Sequence, residues 1–298
     1  MHFLVTGGTG LIGRNFIQSR PNDRFTVLTR NSQASINHSA VEWIHSLDKL
    51  TDLDFADGVI NLAGEPLVGR RWSDVGKKSI KASRIETTRR LIELVASSQN
   101  PPQLFLSGSA IGVYGNAGDQ ACLESQSIAL DSYDFPQSLC YEWESIASQC
   151  AELTRLTLLR TGIVLSTEGG ALAKMLPAFR FGLGGPLGNG SQYMSWIHIQ
   201  DMVAALNHII ATDSISGPVN LVAPNPVTNK IFTRCLGQSL SRPAVLPMPS
   251  CALKLLFGEA SQLLLDSQNV VPSVLKSSGF QFSFTKIDDA LKDLCAKD

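Results

Sequence analysis

The chain has 298 residues, with 25 Lys and Arg against 26 Asp and Glu, a net charge of −1, and 44% of its residues are apolar. This balance excludes intrinsic disorder and a nucleic-acid binder that works through bulk positive charge, and 24 glycines and 14 prolines without a period exclude a collagen-like chain. With charged residues at only 17%, a chain of this length can bury a large core, and about two domains fit into it.

Strand and helix patterns alternate through the first half. His2–Thr6 is a short apolar strand, and Leu11–Ser19 a helix that opens on glycines. Phe25–Thr29, Val59–Leu62, Leu104–Ser107 and Leu156–Arg160 read as further strands. Ser73–Ser98 is a long charged helix whose Ile80, Ile85, Leu91, Ile92 and Val95 recur on one face, and Gln137–Cys150 is another helix. Repeated βα units of this kind predict a doubly wound parallel sheet covered on both faces. After residue 165 the pattern loosens. Gly182–Gly190 (GLGGPLGNG) reads as a loop, suited equally to a lid and to an inert connector. Asp201–Ala211 and Asn229–Leu240 read as helices, Pro218–Val222 as a strand, and the chain from about 245 onward as helical, punctuated by prolines.

No apolar run approaches the ~18 residues of a membrane span. The opening MHFLVTGGTGLIG carries four glycines and no basic leader, unlike a signal peptide. The six cysteines are scattered without a CxxC, and the five histidines have no HxxxH or HExxH spacing. The expectations are reduced cysteines, a cytoplasmic location, no metal site, and neither membrane nor nucleic acid as partner.

The segment Thr6-Gly7-Gly8-Thr9-Gly10-Leu11-Ile12-Gly13 lies between the first strand and the first helix. There, Gly7 or Gly8 makes the tight turn, Gly10 lets backbone N–H groups approach a pyrophosphate, and Gly13 lets helix and strand pack closely. The helix N-terminus adds unpaired donors and the positive end of a dipole. An NAD site wants an Asp or Glu at the end of the second strand, to accept from the ribose hydroxyls. This chain has Leu28-Thr29-Arg30-Asn31 instead, and Arg30 can pair with a 2′-phosphate through two parallel hydrogen bonds. The expected cofactor is therefore NADP(H). Arg84, on the long helix, is a second candidate for the cofactor phosphates.

TGGTGLIG at Thr6–Gly13, NLAG at Asn61–Gly64, SGSAIGVYG at Ser107–Gly115 and WIHIQDMV at Trp196–Val203 together resemble the extended short-chain dehydrogenase/reductases, the NAD(P)-dependent sugar-nucleotide epimerases and dehydratases. RRW at Arg70–Trp72, SRIETT at Ser83–Thr88, RTGIVL at Arg160–Leu165 and the glycine loop narrow the resemblance to the "epimerase family" proteins, which carry a helical C-terminal module of unassigned function. The resemblance implies a Rossmann-type α/β fold with a smaller C-terminal substrate and helical region. Residues 1–165 would form the NADP-binding domain, with strands and helices contributed from 166–247, and 248–298 the C-terminal module. It also implies that Leu62, Ala63, Gly64 and Glu65 border the adenosine side, that Ser109 stands in the place of the family's catalytic Ser/Thr, and that Arg160 lies near the nicotinamide. A homodimer through the helices at Ser73–Ser98 and Gln137–Cys150 is a further expectation by analogy.

The family's base is a Tyr followed four residues later by a Lys, and no YxxxK occurs in the corresponding helix. Alignment puts Cys140 at the Tyr position and Glu144 at the Lys position. Tyr141 is one residue off, ~100° around the helix, and Tyr133 is followed by Gln137. A carboxylate raises a neighbour's pKa instead of lowering it. Ser109, Cys140 and Glu144, with Tyr114 and His198, are the candidates for a rebuilt relay, although Cys140, Tyr114 and His198 each suit a structural role as well. Arg180 is a candidate for meeting an anionic substrate. Two readings follow. One is an NADP(H)-dependent oxidoreductase or epimerase acting on a small polar substrate with a non-standard site. The other is a catalytically inactive NADP(H)-binding sensor or regulatory protein.

Overall fold

A computed structural model of the protein describes residues 1–31, 36–67, 71–131 and 134–296; Arg70 and Tyr133 lie outside the described residues. Seven parallel strands form the central sheet: β1 (His2–Thr6), β2 (Arg24–Leu28), β3 (Val41–Ile44), β4 (Gly58–Asn61), β5 (Leu104–Ala110), β6 (Arg155–Thr161) and β7 (Gly217–Leu221). Their spatial order is β7-β6-β5-β4-β1-β2-β3. The order of the strands reverses at β1, which pairs in parallel with β2 on one flank and β4 on the other, Val5 lying opposite Val27 and Ile60. This is the switch point of a doubly wound sheet, where the crevice beyond the strand ends binds ligands.

Two-residue periodicity sends alternate side chains of β1 into different cores. Phe3 and Val5 pack with Phe16 and Ile17 of α1 (Leu11–Gln18) and with Leu206 and Ile209 of a later helix, while Leu4 joins the opposite core. That second core holds Ile85, Leu91 and Val95 of α2 (Asp74–Ser97) and Trp143 and Ile146 of α3 (Phe135–Ala147). α2 starts where Ser73 accepts the Gly76 N–H through its hydroxyl at 3.1 Å, with Asp74 complementing the dipole. α3 starts where Asp134 accepts the Gln137 N–H at 3.0 Å.

Four features lie outside the sequence reading. β3 is an edge strand of four partly exposed residues. Ile163–Leu165 and Trp196–His198 pair in parallel over three residues, too few for a periodicity. α4 (Gly170–Arg180) opens on two glycines and holds Pro177 within it, so its sequence reads as broken. α5 (Ile199–Ala211), α6 (Asn229–Ser239) and α7 (Ser250–Phe257) follow, and the last quarter adds α8 (Gln262–Leu265), α9 (Ser273–Ser277) and α10 (Ile287–Cys295). This C-terminal stretch is not purely helical: Asn269–Val270 pairs with Ala121–Cys122. The glycine loop at 182–190 is stitched down, with Gly188 N–H donating to Met248 O and Met248 N–H to Pro186 O, each at 2.9 Å. It is a braced connector to the C-terminal segment. Among the described residues no helix is long and apolar enough to cross a membrane.

Candidate functional site

A cleft of about 290 Å³ opens at the C-terminal ends of β1, β2 and β4. Gly7, Thr9 and Gly10 form one wall, Thr29 and Arg30 another, and Leu62, Ala63, Gly64 and Glu65 a third, closed below by Ser83 and Thr87 of α2. Gly7 has φ +70°, and a Cβ there would lie 2.5 Å from Leu62 O. A Cβ on Gly13 would lie 2.5 Å from Gly7 O, so the helix can approach the loop only with glycine at both places. Gly10 is the N-cap of α1 and has no side chain to occupy the N–H groups of Leu11, Ile12 and Gly13 in the first turn, which suits an anion.

Buried hydrogen bonds hold the walls. Thr6 accepts the Ala63 N–H at 3.1 Å and donates its own hydroxyl to Asn61 Oδ1 at 2.7 Å. Asn61 Nδ2 in turn donates to Thr88 Oγ1, which also accepts the Trp143 indole N–H, both at 2.8 Å. Arg84 is not among the residues lining the cleft. Its guanidinium donates to Ile80 O and Glu65 O at 3.0 Å and lies against Trp143, 5.4 Å from the ring centre. Burial lowers its pKa, opposed by Cys140 and Glu65. Arg84 braces the Gly64–Glu65 wall of the cleft, and a Cβ on Gly64 would strike its guanidinium at 2.7 Å.

Arg30 is differently placed. The Asn31 N–H donates to Thr29 Oγ1 at 3.1 Å, a tight turn that sets Arg30 at the cleft mouth. Its Nη1 lies 3.5 Å from Glu65 Oε1, and its side chain is 86% exposed. An ion pair so exposed contributes little, and the guanidinium can exchange it for a phosphate.

The three catalytic candidates fall into two environments. Glu144 is buried, accepts from the Ser109 hydroxyl at 2.6 Å, and is gripped by Arg160 through Nε and Nη2 at 2.9 and 2.8 Å. Arg160 Nη1 donates to the Tyr114 hydroxyl at 2.9 Å, which donates to Asn220 Oδ1 at 2.8 Å. Burial works to lower the Arg160 pKa, but the hydrogen bonds and charge of Glu144 outweigh it and hold it above its usual value. Arg160 is thus engaged by Glu144 and Tyr114 at the C-terminal end of β6. Burial raises the Tyr114 pKa in spite of Arg160. Cys140 is the other case: burial, reinforced by Glu144, pushes its thiol up to about 12. Burial and Glu144 together oppose the thiolate that a general base at Cys140 would need. His198 lies elsewhere, its Nδ1 accepting the Gln200 N–H at 3.1 Å and its ring stacked on Phe284.

Beyond β5 and β6, a second cavity of about 250 Å³ is bordered by Ala110, Cys140, Thr161 and Gly162 on the sheet side and by Leu263, Leu264, Asp266 and Gln268 from the C-terminal segment. Arg180 is not among its described walls.

Residues 3–221 match the model of the NAD dependent epimerase/dehydratase family, and residues 248–294 match a domain of unknown function. The chain belongs to the NAD-dependent epimerase/dehydratase family. It is 37% identical over 300 residues to an epimerase family protein of Staphylococcus aureus (strain MRSA252), covering 99% of each chain. It is 39% identical over 294 residues to one of Mycobacterium bovis, covering 96% of this chain and 95% of the other. The crystal structure of a human epimerase family protein with NADPH superposes with a TM-score of 0.90 at 32% identity, over 99% of each chain.

Within this epimerase family chain, the sequence reading missed the partners that define the site. Asp134 and Asp266 are 132 positions apart and meet at the second cavity, and no local pattern announces the pairing. The family's C-terminal match did flag the segment that carries Asp266. One consequence of the thiol environments is directly measurable. Iodoacetamide at pH 8 is expected to label exposed Cys251 in the native protein and to leave Cys140, Cys150 and Cys235 untouched until unfolding, because burial pushes these thiols up to about 12, 11 and 11. Peptide mass mapping checks it; prompt labelling of Cys140 would contradict the burial assigned to it.

Proposed function

We propose that the protein binds NADP(H) in the glycine-loop cleft and works as an oxidoreductase or epimerase on a small substrate held in the adjacent cavity. The observation that carries this reading is the cleft itself: a glycine cradle that a Cβ would fill, with Arg30 and not a carboxylate following β2. The first turn of α1 would hold the pyrophosphate, Leu62–Glu65 the adenosine side, and Arg30 the 2′-phosphate. When bound, the nicotinamide supplies or takes up hydride. Ser109 donates to Glu144, and Glu144 is held in turn by Arg160, so this trio fixes the Ser109 oxygen at the C-terminal end of β5.

The test is titration with NADPH and NADH. NADPH is expected to bind at least tenfold tighter, ~1.4 kcal/mol, and Arg30→Ala to erase the difference while NADH binding stays. If neither nucleotide binds, the cleft has been misassigned.

The second reading, binding without turnover, is favoured by one observation: neither position aligned with the Tyr–Lys pair offers a base, Cys140 being protonated and Glu144 closed by Arg160. Under this reading NADPH binds but is not consumed with any of a panel of aldehydes, ketones and sugar nucleotides. Steady NADPH oxidation with one of them decides for the enzyme.

A further inference from the structure

The cavity beside the cleft has a composition at odds with a nucleotide-linked substrate. Ile111, Ile163, Met175, Met194, Leu263 and Leu264 give it a largely apolar surface. Among the described residues that line it there is no Lys or Arg, whereas a diphosphate would require cationic donors. Its ionisable walls are Asp134, Asp266, Cys140 and Tyr193. The Asp134 carboxylate is engaged, accepting the Gln137 N–H at 3.0 Å and the Gln262 side-chain amide at 3.2 Å. Asp266 comes from the C-terminal segment, just beyond α8.

That segment is fastened around the cavity. Ser195 donates its hydroxyl to Gln268 O at 2.7 Å and accepts the Val270 N–H at 2.9 Å, and the Tyr193 N–H donates to Ser267 Oγ at 2.9 Å. Gln192 donates to Leu187 O at 3.1 Å and to Leu264 O at 2.9 Å, joining the braced glycine connector to α8. The space is therefore preformed, as small-molecule sites usually are, with a few polar groups to orient a ligand on apolar walls.

We propose that this cavity binds a small, apolar-bodied molecule whose head donates a hydrogen bond, an ammonium or hydroxyl group set against Asp266. The C-terminal segment then has a function: it supplies the ligand-reading carboxylate and a wall of the cavity. The inference rests on the proposed NADP(H) reading only in naming this ligand the substrate. Burial, with Asp134 beside it, pushes the Asp266 carboxyl up to about 6, so at pH 7.5 it is largely ionised and accepts from either head.

The test uses the full chain at pH 7.5, titrated calorimetrically with n-alkylamines and n-alkanols from hexyl to decyl, with UDP-glucose as the polar comparison. Affinity is expected to rise about fourfold per added CH₂, the equivalent of ~0.8 kcal/mol, and UDP-glucose not to compete. Asp266→Asn is expected to weaken the amines at least tenfold and the alkanols less, since the charge goes and an acceptor stays. Removing a carboxylate whose ionisation burial opposes should leave the fold intact, which a thermal melt checks. Met175→Trp, which fills the cavity, is expected to abolish both series. The inference is overturned by an affinity independent of chain length, by UDP-glucose competing for the cavity, or by an Asp266→Asn protein that binds amines as before. NADPH titration of the same samples separates the two proposals: its failure removes the cofactor reading and leaves the cavity result standing.

Discussion

Arg160→Met is expected to lower the unfolding free energy by roughly 3–5 kcal/mol, the range for breaking a buried ion pair from one side. Arg160 and Glu144 are 4% and 8% exposed, and the pair is bidentate. Methionine replaces most of the side chain's volume, so the loss comes from Glu144, whose buried charge keeps the Ser109 hydroxyl but loses its bidentate partner. The Tyr114 hydroxyl loses a donor at the same time. The double variant Glu144→Leu with Arg160→Met removes both charges and is expected to recover most of the stability, since apolar side chains of similar volume replace such pairs at little cost. Chemical denaturation of the parent, the single variants Arg160→Met and Glu144→Leu, and the double variant gives the coupling energy from the cycle. A single variant as stable as the parent would mean the pair is solvated and not part of the core. NADPH binding should survive in the double variant, because neither residue lines the cleft.

The contrast with the cofactor cleft explains what the sequence made legible. The glycine loop and Arg30 are readable because their geometry is local: a strand, a turn and a helix within a dozen residues, and the tip of the next strand. β1 is found with its observed ends, and α2 to within one residue at each end, for the same reason. Glu144 was visible as a departure from YxxxK, but its consequence was not. The residue that answers it, Arg160, is sixteen positions away on a neighbouring strand, and Tyr114 a further 46 from Arg160. Chain topology, not periodicity, brings them together, and it makes Arg160 the counter-ion of Glu144. The three-residue strands and the proline-bearing α4 were illegible for a different reason, since their stability comes from packing and not from any pattern of their own. Leu172, Leu176 and Phe179 of α4 are buried together with Trp196 and with α10.

Glycine substitutions in the loop should separate binding from folding. Gly13→Ala places a methyl 2.5 Å from Gly7 O and 2.6 Å from Gly8 Cα, both backbone atoms that cannot move without shifting α1. Loss of both nucleotide binding and a substantial part of the stability is expected, since the helix must lift off the sheet edge. Gly10→Ala is a different perturbation. Its φ of −73° and ψ of 172° suit any residue, and the new Cβ has only Gly7 O nearby, at 3.1 Å. Gly10 lines the cleft, so the methyl takes space that the pyrophosphate needs. The melting temperature is expected to stay within a few degrees of the parent while NADPH affinity falls at least tenfold, ~1.4 kcal/mol. Gly118→Ala serves as the reference: its φ of +63° is strained for alanine, but nothing lies within 4 Å of the added Cβ. It should cost about 1 kcal/mol of stability and leave NADPH affinity unchanged. Differential scanning fluorimetry with and without NADPH measures all three. If Gly10→Ala binds NADPH like the parent, the phosphates do not lie over the first turn of α1, and the assignment of the cleft fails at the residue on which it most directly depends.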